Sequence, residues 1–170
     1  MIMANPGQPT IQRGSKGEPV KRAQRALRRG RSPELIVDGV FGRATEECVK
    51  RFQERAGLRP DGIVGSKTWA ALPDGSAMPV LKNGSTGRVV SRLQTVLTDE
   101  APSRWQITPQ GIDGIFGRKT KASVEALQDW ADIPVDGVVG DRTWGVELAG
   151  AGGIFERFVG LEFAEAPVAH

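Results

Sequence analysis

The chain has 170 residues, 39% hydrophobic and 25% charged, with a formal net charge of +3, close enough to the globular average that packed cores are feasible. No apolar run approaches the length that crosses a bilayer. A single cysteine, Cys48, excludes an internal disulfide and a cysteine-based metal cluster.

The opening residues, Met1-Ile-Met-Ala-Asn-Pro-Gly7, carry neither the basic nor the apolar region of a signal peptide. Either the coding sequence is trimmed or export uses another route, such as lysis or assembly into a particle. The first predicted helix, Glu18 to Arg29, puts Val20, Ala23 and Leu27 on one face. Lys21, Arg22, Arg25, Arg28 and Arg29 take the other face, and Gly30 is the expected stop. The turn string Asp38-Gly-Val-Phe-Gly-Arg-Ala-Thr45 then leads into a second helix, which opens after Gly42, points Cys48, Val49 and Phe52 inward and ends at Gly57. A related string, Asp61-Gly-Ile-Val-Gly-Ser-Lys-Thr68, enters a short third helix from Ser66 to Leu72, anchored by Trp69 and Leu72.

After a turn-rich linker the pattern starts again. Gly84-Ser-Thr-Gly87 repeats Gly14-Ser-Lys-Gly17, and Gln94 and Leu97 repeat Gln24 and Leu27. Asp113-Gly-Ile-Phe-Gly-Arg-Lys-Thr120 and Asp136-Gly-Val-Val-Gly-Asp-Arg-Thr143 repeat the two turn strings. Leu127-Gln128 repeats Phe52-Gln53, and Thr143-Trp144 repeats Thr68-Trp69. The second copy carries extra residues around Ala101 to Ile107, an insertion that a surface loop tolerates. Its expected core is Val90, Leu93 and Leu97, then Val124, Leu127 and Ala131, then Trp144 and Leu148. The chain is thus expected to be all-α: units at 11–72 and 81–148, a linker at 73–80, and a Gly-rich joint with an apolar tail at 149–170, with little strand.

The turn strings admit two readings. In one, Asp accepts N–H groups of its own turn, Gly supplies positive φ, and Phe41, Val64, Phe116 or Val139 enters the core just before a helix starts. Gly42, Gly65, Gly117 and Gly140 would then serve as N-caps or allow close backbone approach. In the other, the basic residues of the first helical turn matter: Arg43, Lys67, Arg118 with Lys119, and Arg142. Cations there oppose the helix dipole at a cost of about 0.3–1 kcal/mol each, and such a helix start can receive a carboxylate or phosphate.

Taken in order, Gly-x-x-Gly, Val-x-x-x-Gln-x-x-Leu, Asp-Gly-x-Phe-Gly-x-x-Thr, Phe-Gln and Asp-Gly-x-Val-Gly-x-x-Thr-Trp-x-x-Leu resemble the bacterial peptidoglycan-binding domain, type 1. The resemblance covers both units. It implies compact three-helix modules of the kind that attach wall hydrolases, amidases and phage lysins to murein, and hence cell-wall binding. Two departures leave the expected fold unchanged: Arg25 to Arg31 is unusually basic, and Ile133-Pro-Val135 stands where the first unit has Leu58-Arg-Pro60.

No catalytic set accompanies the modules. The one histidine is His170, Cys48 has no histidine near it in the pattern, and Ser15 and Ser85 lie in glycine turns without a base. Asp38, Asp61, Asp113 and Asp136 recur with their turns, which favours turn geometry over a paired-carboxylate glycosidase. The expected protein is a non-enzyme that needs no cofactor or metal and acts at the bacterial wall. Its expected groove lies where the turns meet the second and third helices, drawing on Asp38, Phe41, Gly42, Arg43 and Thr45, and on Asp61, Gly65, Lys67 and Thr68. In the second unit the counterparts are Asp113, Phe116, Gly117, Arg118 and Thr120, then Asp136, Gly140, Arg142 and Thr143. Trp105 and Trp130, unique to that unit, are either sugar platforms or, for Trp105, a loop anchor.

Two further partners come from charge and from the tail. Residues 1–60 hold 13 Lys/Arg against 6 Asp/Glu, so nucleic acid could lie along Lys21 to Arg29; the second unit lacks that face, which makes this partner the weaker reading. The tail, Ile154 to Phe163, fits neither helix nor strand outright. It should pack on its own domains or dock another protein, which would make the chain an adaptor of a phage tail or secretion particle.

Overall fold

A computed structural model describes residues 4–149 and 153–164. Two compact units divide the chain, Met1–Ala77 and Met78–His170.

In unit 1, α1 is Glu18–Gly30, α2 is Arg43–Arg55 and α3 is Ser66–Ala71. In unit 2, α4 is Arg88–Asp99, α5 is Arg118–Trp130 and α6 is Asp141–Trp144. Each trio closes over one apolar cluster. Val20, Leu27, Phe41, Val49, Val64, Trp69 and Leu72 are buried in the first, and Val90, Leu93, Leu97, Phe116, Val124, Leu127 and Trp144 in the second. Burying each of these large side chains stabilises its unit by about 1.5–3 kcal/mol relative to exposure. The two tryptophans expected in the core lie there, and each indole N–H finds a carbonyl at the start of its unit: Trp69 Nε1 donates to Pro9 O at 2.8 Å and Trp144 Nε1 to Pro79 O at 3.0 Å.

Short backbone bridges tie the turns to the segments before α1 and α4. Ile11 pairs with Val64 and Lys16 with Val40; Leu81 pairs with Val139 and Thr86 with Ile115. The Gly-x-x-Gly turns take part in this fastening. Phe41 N–H donates to Ser15 O at 2.9 Å, and Phe116 N–H donates to Ser85 O at 2.8 Å.

The basic face expected on α1 is corrected in part. Arg25, Arg28 and Arg29 are buried rather than laid out to solvent. Arg25 Nη1 donates to Gly75 O at 3.2 Å and Arg29 Nη1 to Asp74 O at 2.8 Å. Arg22 Nε donates to Asn5 Oδ1 at 2.9 Å, and that oxygen also accepts Gly75 N–H at 3.0 Å. The guanidinium groups therefore satisfy backbone carbonyls of 74–75, and that part of the linker is held as part of unit 1. A Cβ on Gly75 would strike the Arg22 carbonyl, so only glycine fits there. A strip of phosphates cannot lie along Lys21 to Arg29 while these arginines are buried.

Of the expected tail, 149 and 153–164 are described, and 165–170 lie outside the described residues. β1, Glu147–Ala149, pairs antiparallel with β2, Gly153–Ile154, in the register Glu147 to Ile154 and Ala149 to Gly153. The rest of the expected flexible joint, 150–152, lies outside the described residues. Helix α7, Phe155–Val159, and a 3-10 turn, Leu161–Phe163, follow. Ile154, Phe155 and Val159 are fully buried, and the Phe155 ring lies 5.7 Å from that of Trp144. Arg92 Nε donates to Val159 O at 3.0 Å. Ile154, Phe155 and Val159 thus complete unit 2's own core, while Phe158, Leu161 and Phe163 stay partly exposed.

Candidate functional site

All four turn strings are built around a buried glutamine. In the first, Gln24 comes from the inner face of α1. Its Oε1 accepts the N–H groups of Asp38 at 3.1 Å and Gly39 at 2.9 Å. Its Nε2 faces three acceptors, Asp38 Oδ1 at 2.9 Å, Val40 O at 3.2 Å and Thr45 Oγ1 at 3.1 Å. One amide therefore holds both arms of the turn and the first turn of the next helix. Gln53 repeats this with Asp61 Oδ1, Ile63 O, Thr68 Oγ1 and the Gly62 N–H, except that the Asp61 N–H donates to Arg59 O instead. Gln94 does so with Asp113, Gly114, Ile115 and Thr120, and Gln128 with Asp136, Gly137, Val138 and Thr143.

The aspartates also close their own turns, Asp38 Oδ1 accepting Val40 N–H at 2.9 Å and Asp113 Oδ1 accepting Ile115 N–H at 3.0 Å. The second residue of each turn is glycine at positive φ, 76° at Gly39 and 73° at Gly114, where a side chain would be strained. The Ile63 N–H and the Gln53 amide hold the Asp61 carboxyl below the usual aspartate range; the Gln94 amide and the Ile115 N–H do the same for Asp113.

This arrangement sorts the residues expected to contact ligand. Phe41 and Phe116 are 1% and 0% exposed, so they support the turns from below and are corrected from contact residues to core. Thr45, Thr68, Thr120 and Thr143 are buried on the glutamines and are corrected in the same way. Asp38, Asp61, Asp113, Asp136, Arg43, Lys67, Arg118 and Arg142 are exposed at the turn surface. Gly42, Gly65, Gly117 and Gly140 are N-caps in extended backbone, and a Cβ on any of them would meet nothing within 4 Å. The close-approach reading of these glycines is thereby corrected: the space beyond them is open. Lys67 and Arg142 stand second in helices of 6 and 4 residues, whose dipoles are correspondingly small.

The glutamines were absent from the expected site, although their repetition signalled them. A polar residue that recurs on the buried face of an amphipathic helix must find partners inside.

The unit 1 surface opens into a groove of about 810 Å³. One wall is the connection Glu34–Leu35–Ile36, the other is the face of α2 carrying Arg43, Glu47, Lys50 and Arg51, and Val40 and Gly42 close one end. Arg51 Nη2 donates to Glu34 Oε1 at 2.8 Å, and Arg43 Nε to Glu47 Oε1 at 3.1 Å. Partial burial raises the Glu34 carboxyl, but its own backbone N–H and Arg51 outweigh this and leave it below its ordinary value. A smaller groove of about 400 Å³ adjoins the second turn at Arg59, Asp61, Ile63, Gly65 and Lys67.

The first turn of unit 2 has a groove of only about 290 Å³, between Pro109–Gln110–Gly111 and Gly117–Arg118–Lys119. The longer connection lies on α5: Ser123 Oγ donates to Ile107 O at 2.7 Å. Trp105 is 6% exposed and meets Trp130 edge to face, ring centroids 5.7 Å apart. Trp105 is therefore a loop anchor and is corrected as a sugar platform; Trp130 keeps 40% of its surface exposed.

Comparison with known proteins adds the following. The family model for the peptidoglycan binding domain matches residues 16–72 and again 86–146. The chain is 31% identical over 161 residues to the probable N-acetylmuramoyl-L-alanine amidase of Bacillus licheniformis, covering 78% of this chain and 43% of that protein. It is 40% identical over 76 residues to the zinc D-Ala-D-Ala carboxypeptidase of Streptomyces albus G, covering 42% of this chain and 30% of the other. Among solved structures, the SleB N-terminal domain is 42% identical with a TM-score of 0.35, covering 36% of this chain and 85% of that one. The chain spans less than half the length of these curated relatives.

Proposed function

We propose, for a chain that belongs to the peptidoglycan binding domain family in both of its units, that it retains bacterial peptidoglycan without cutting it and so holds a partner or a further domain at the wall. The observation that carries this reading is the repeated turn–helix surface. Four glutamine-centred knots fix four turns rigidly from below and leave Asp38, Arg43, Asp61, Lys67, Asp113, Arg118, Asp136 and Arg142 on the outer side. Preorganised polar groups of this kind bind a polymer at little ordering cost.

Retention rather than hydrolysis is supported by how the carboxylates are used. Asp38, Asp61, Asp113 and Asp136 accept hydrogen bonds from their turn amides and from glutamine, and the lowered Asp61 and Asp113 are poor proton donors at neutral pH. The relatives' names describe hydrolases, and activity of that kind belongs to those whole proteins. The site of action proposed here is the cell wall.

The test is co-sedimentation of the purified chain with isolated sacculi. Retention in the pellet with no soluble muropeptide released is the expected result. A chain left in the supernatant sinks the binding reading, and released fragments sink the non-catalytic one.

A further inference from the structure

We infer that the large groove of unit 1 takes the peptide stems of the wall rather than its glycan strands, and that the equivalent place in unit 2 is closed to them. The inference rests on the wall-binding reading above and adds which part of the polymer is held, and where.

The lining decides between peptide and sugar. Sugar rings are held by flat aromatic faces, yet among the described residues no aromatic side chain lines the unit 1 groove. It offers exposed aliphatic surface, Ile36 at 55% and Val40 at 45%, beside alternating charges of both signs. Arg51 faces Glu34 across the groove and Arg43 pairs with Glu47 on its wall. These pairs are largely exposed, so each exchanges its partner at small cost. A short peptide rich in alanine methyls, with free carboxylates and the amino group of a diamino acid, complements that lining in both charge and apolar surface. A neutral acetylated glycan does not.

The same positions in unit 2 cannot do this. Ala122 and Ala126 stand where unit 1 has Glu47 and Arg51, which removes both charge pairs from the helix face. Ser123, in place of Cys48, is fully buried beneath the Ile107 carbonyl, and the Trp105–Trp130 contact secures the loop that covers it.

The test uses the full chain and substitutions at the open N-cap glycines. Asn is a favoured N-cap, and a Cβ at Gly42 or Gly117 meets nothing within 4 Å, so Gly42→Asn and Gly117→Asn are expected to keep the fold, which a thermal melt checks. Retention is measured on intact sacculi, on glycan strands stripped of their peptides, and on sacculi in the presence of a synthetic tetrapeptide stem with free termini. The expected results are release from sacculi by the tetrapeptide and a loss of about tenfold or more, roughly 1.4 kcal/mol, on stripped glycan. Gly42→Asn is expected to lose about as much, and Gly117→Asn less than about twofold. Equal retention on stripped glycan, or equal losses from the two variants, overturns the inference while leaving wall binding intact. Failure of the unaltered chain to bind intact sacculi overturns both.

Discussion

Units 1 and 2 share their knots, their turns and their tryptophan anchors, yet they differ in what surrounds α2 and α5. In unit 1 a shorter connection buries Leu35 in the core and is joined to α2 at the surface through Arg51 and Glu34. In unit 2 a longer connection lies down on α5, bonded through Ser123 and weighted by Trp105. Unit 2 also has a tail, β1 to the 3-10 turn, that adds Ile154, Phe155 and Val159 to its buried apolar surface. The lesson is that duplicated frameworks diverge where the chain is free to change length. The knots tolerate no such change, because each amide must meet four or five groups at once.

The largest expected effect falls on unit 2 alone. Phe155→Ala should destabilise it by about 3–5 kcal/mol, since a fully buried ring beside Trp144 leaves a cavity. Scanning calorimetry should show a lowered transition for unit 2 and an unchanged one for unit 1; a shift of both would mean the tail is not confined to unit 2's core. Next come the knots, where the units should behave alike. Gln24→Ala and Gln94→Ala each strand two backbone N–H groups, and each should cost its own unit about 3 kcal/mol. A much smaller cost in either unit, read by urea unfolding, would show that water replaces the amide there.

Trp105→Ala should cost unit 2 about 3 kcal/mol, at the low end for a buried aromatic because a loop can settle into the space. The same change should alter Trp130 emission, and an unaltered spectrum would contradict the edge-to-face contact. Acid should produce the smallest difference. Asp61 in unit 1 and Asp113 in unit 2 titrate lower when folded than the unfolded value of about 3.9. Their contribution is therefore complete above that value and disappears as pH falls through the folded one. Asp61→Asn should flatten the acid limb of unit 1's stability profile and Asp113→Asn that of unit 2; an acid slope left as steep as before would reject the assignment.

Much of this architecture is legible in the sequence. The helices of unit 1 lie within a residue or two of their expected bounds, because Val20, Leu27, Val49 and their partners repeat with helical spacing and glycine marks the ends. In unit 2 the last helix stops at Trp144, and Leu148, expected to anchor it, lies in β1. The tail is not legible in this way, because Ile154 to Phe163 satisfies two periodicities in ten residues, and its outcome as strand then helix depends on Trp144 and Arg92 far back in the chain. The candidate site was legible in place but not in role. Repetition marked Phe41, Thr45 and their copies, yet repetition alone cannot separate a residue that touches ligand from one that holds the turn.

What the sequence by itself determined was the duplication, the helical register, the helix-entry turns and the family likeness, all of which are properties of neighbours along the chain. Tertiary structure alone decided that Arg25, Arg28 and Arg29 are buried and that the tail completes a core. It alone decided that one of two matching grooves is about 810 Å³ and the other only about 290 Å³. Those outcomes depend on which distant carbonyl, ring or loop arrives at a given face, and local spacing carries no record of that arrival.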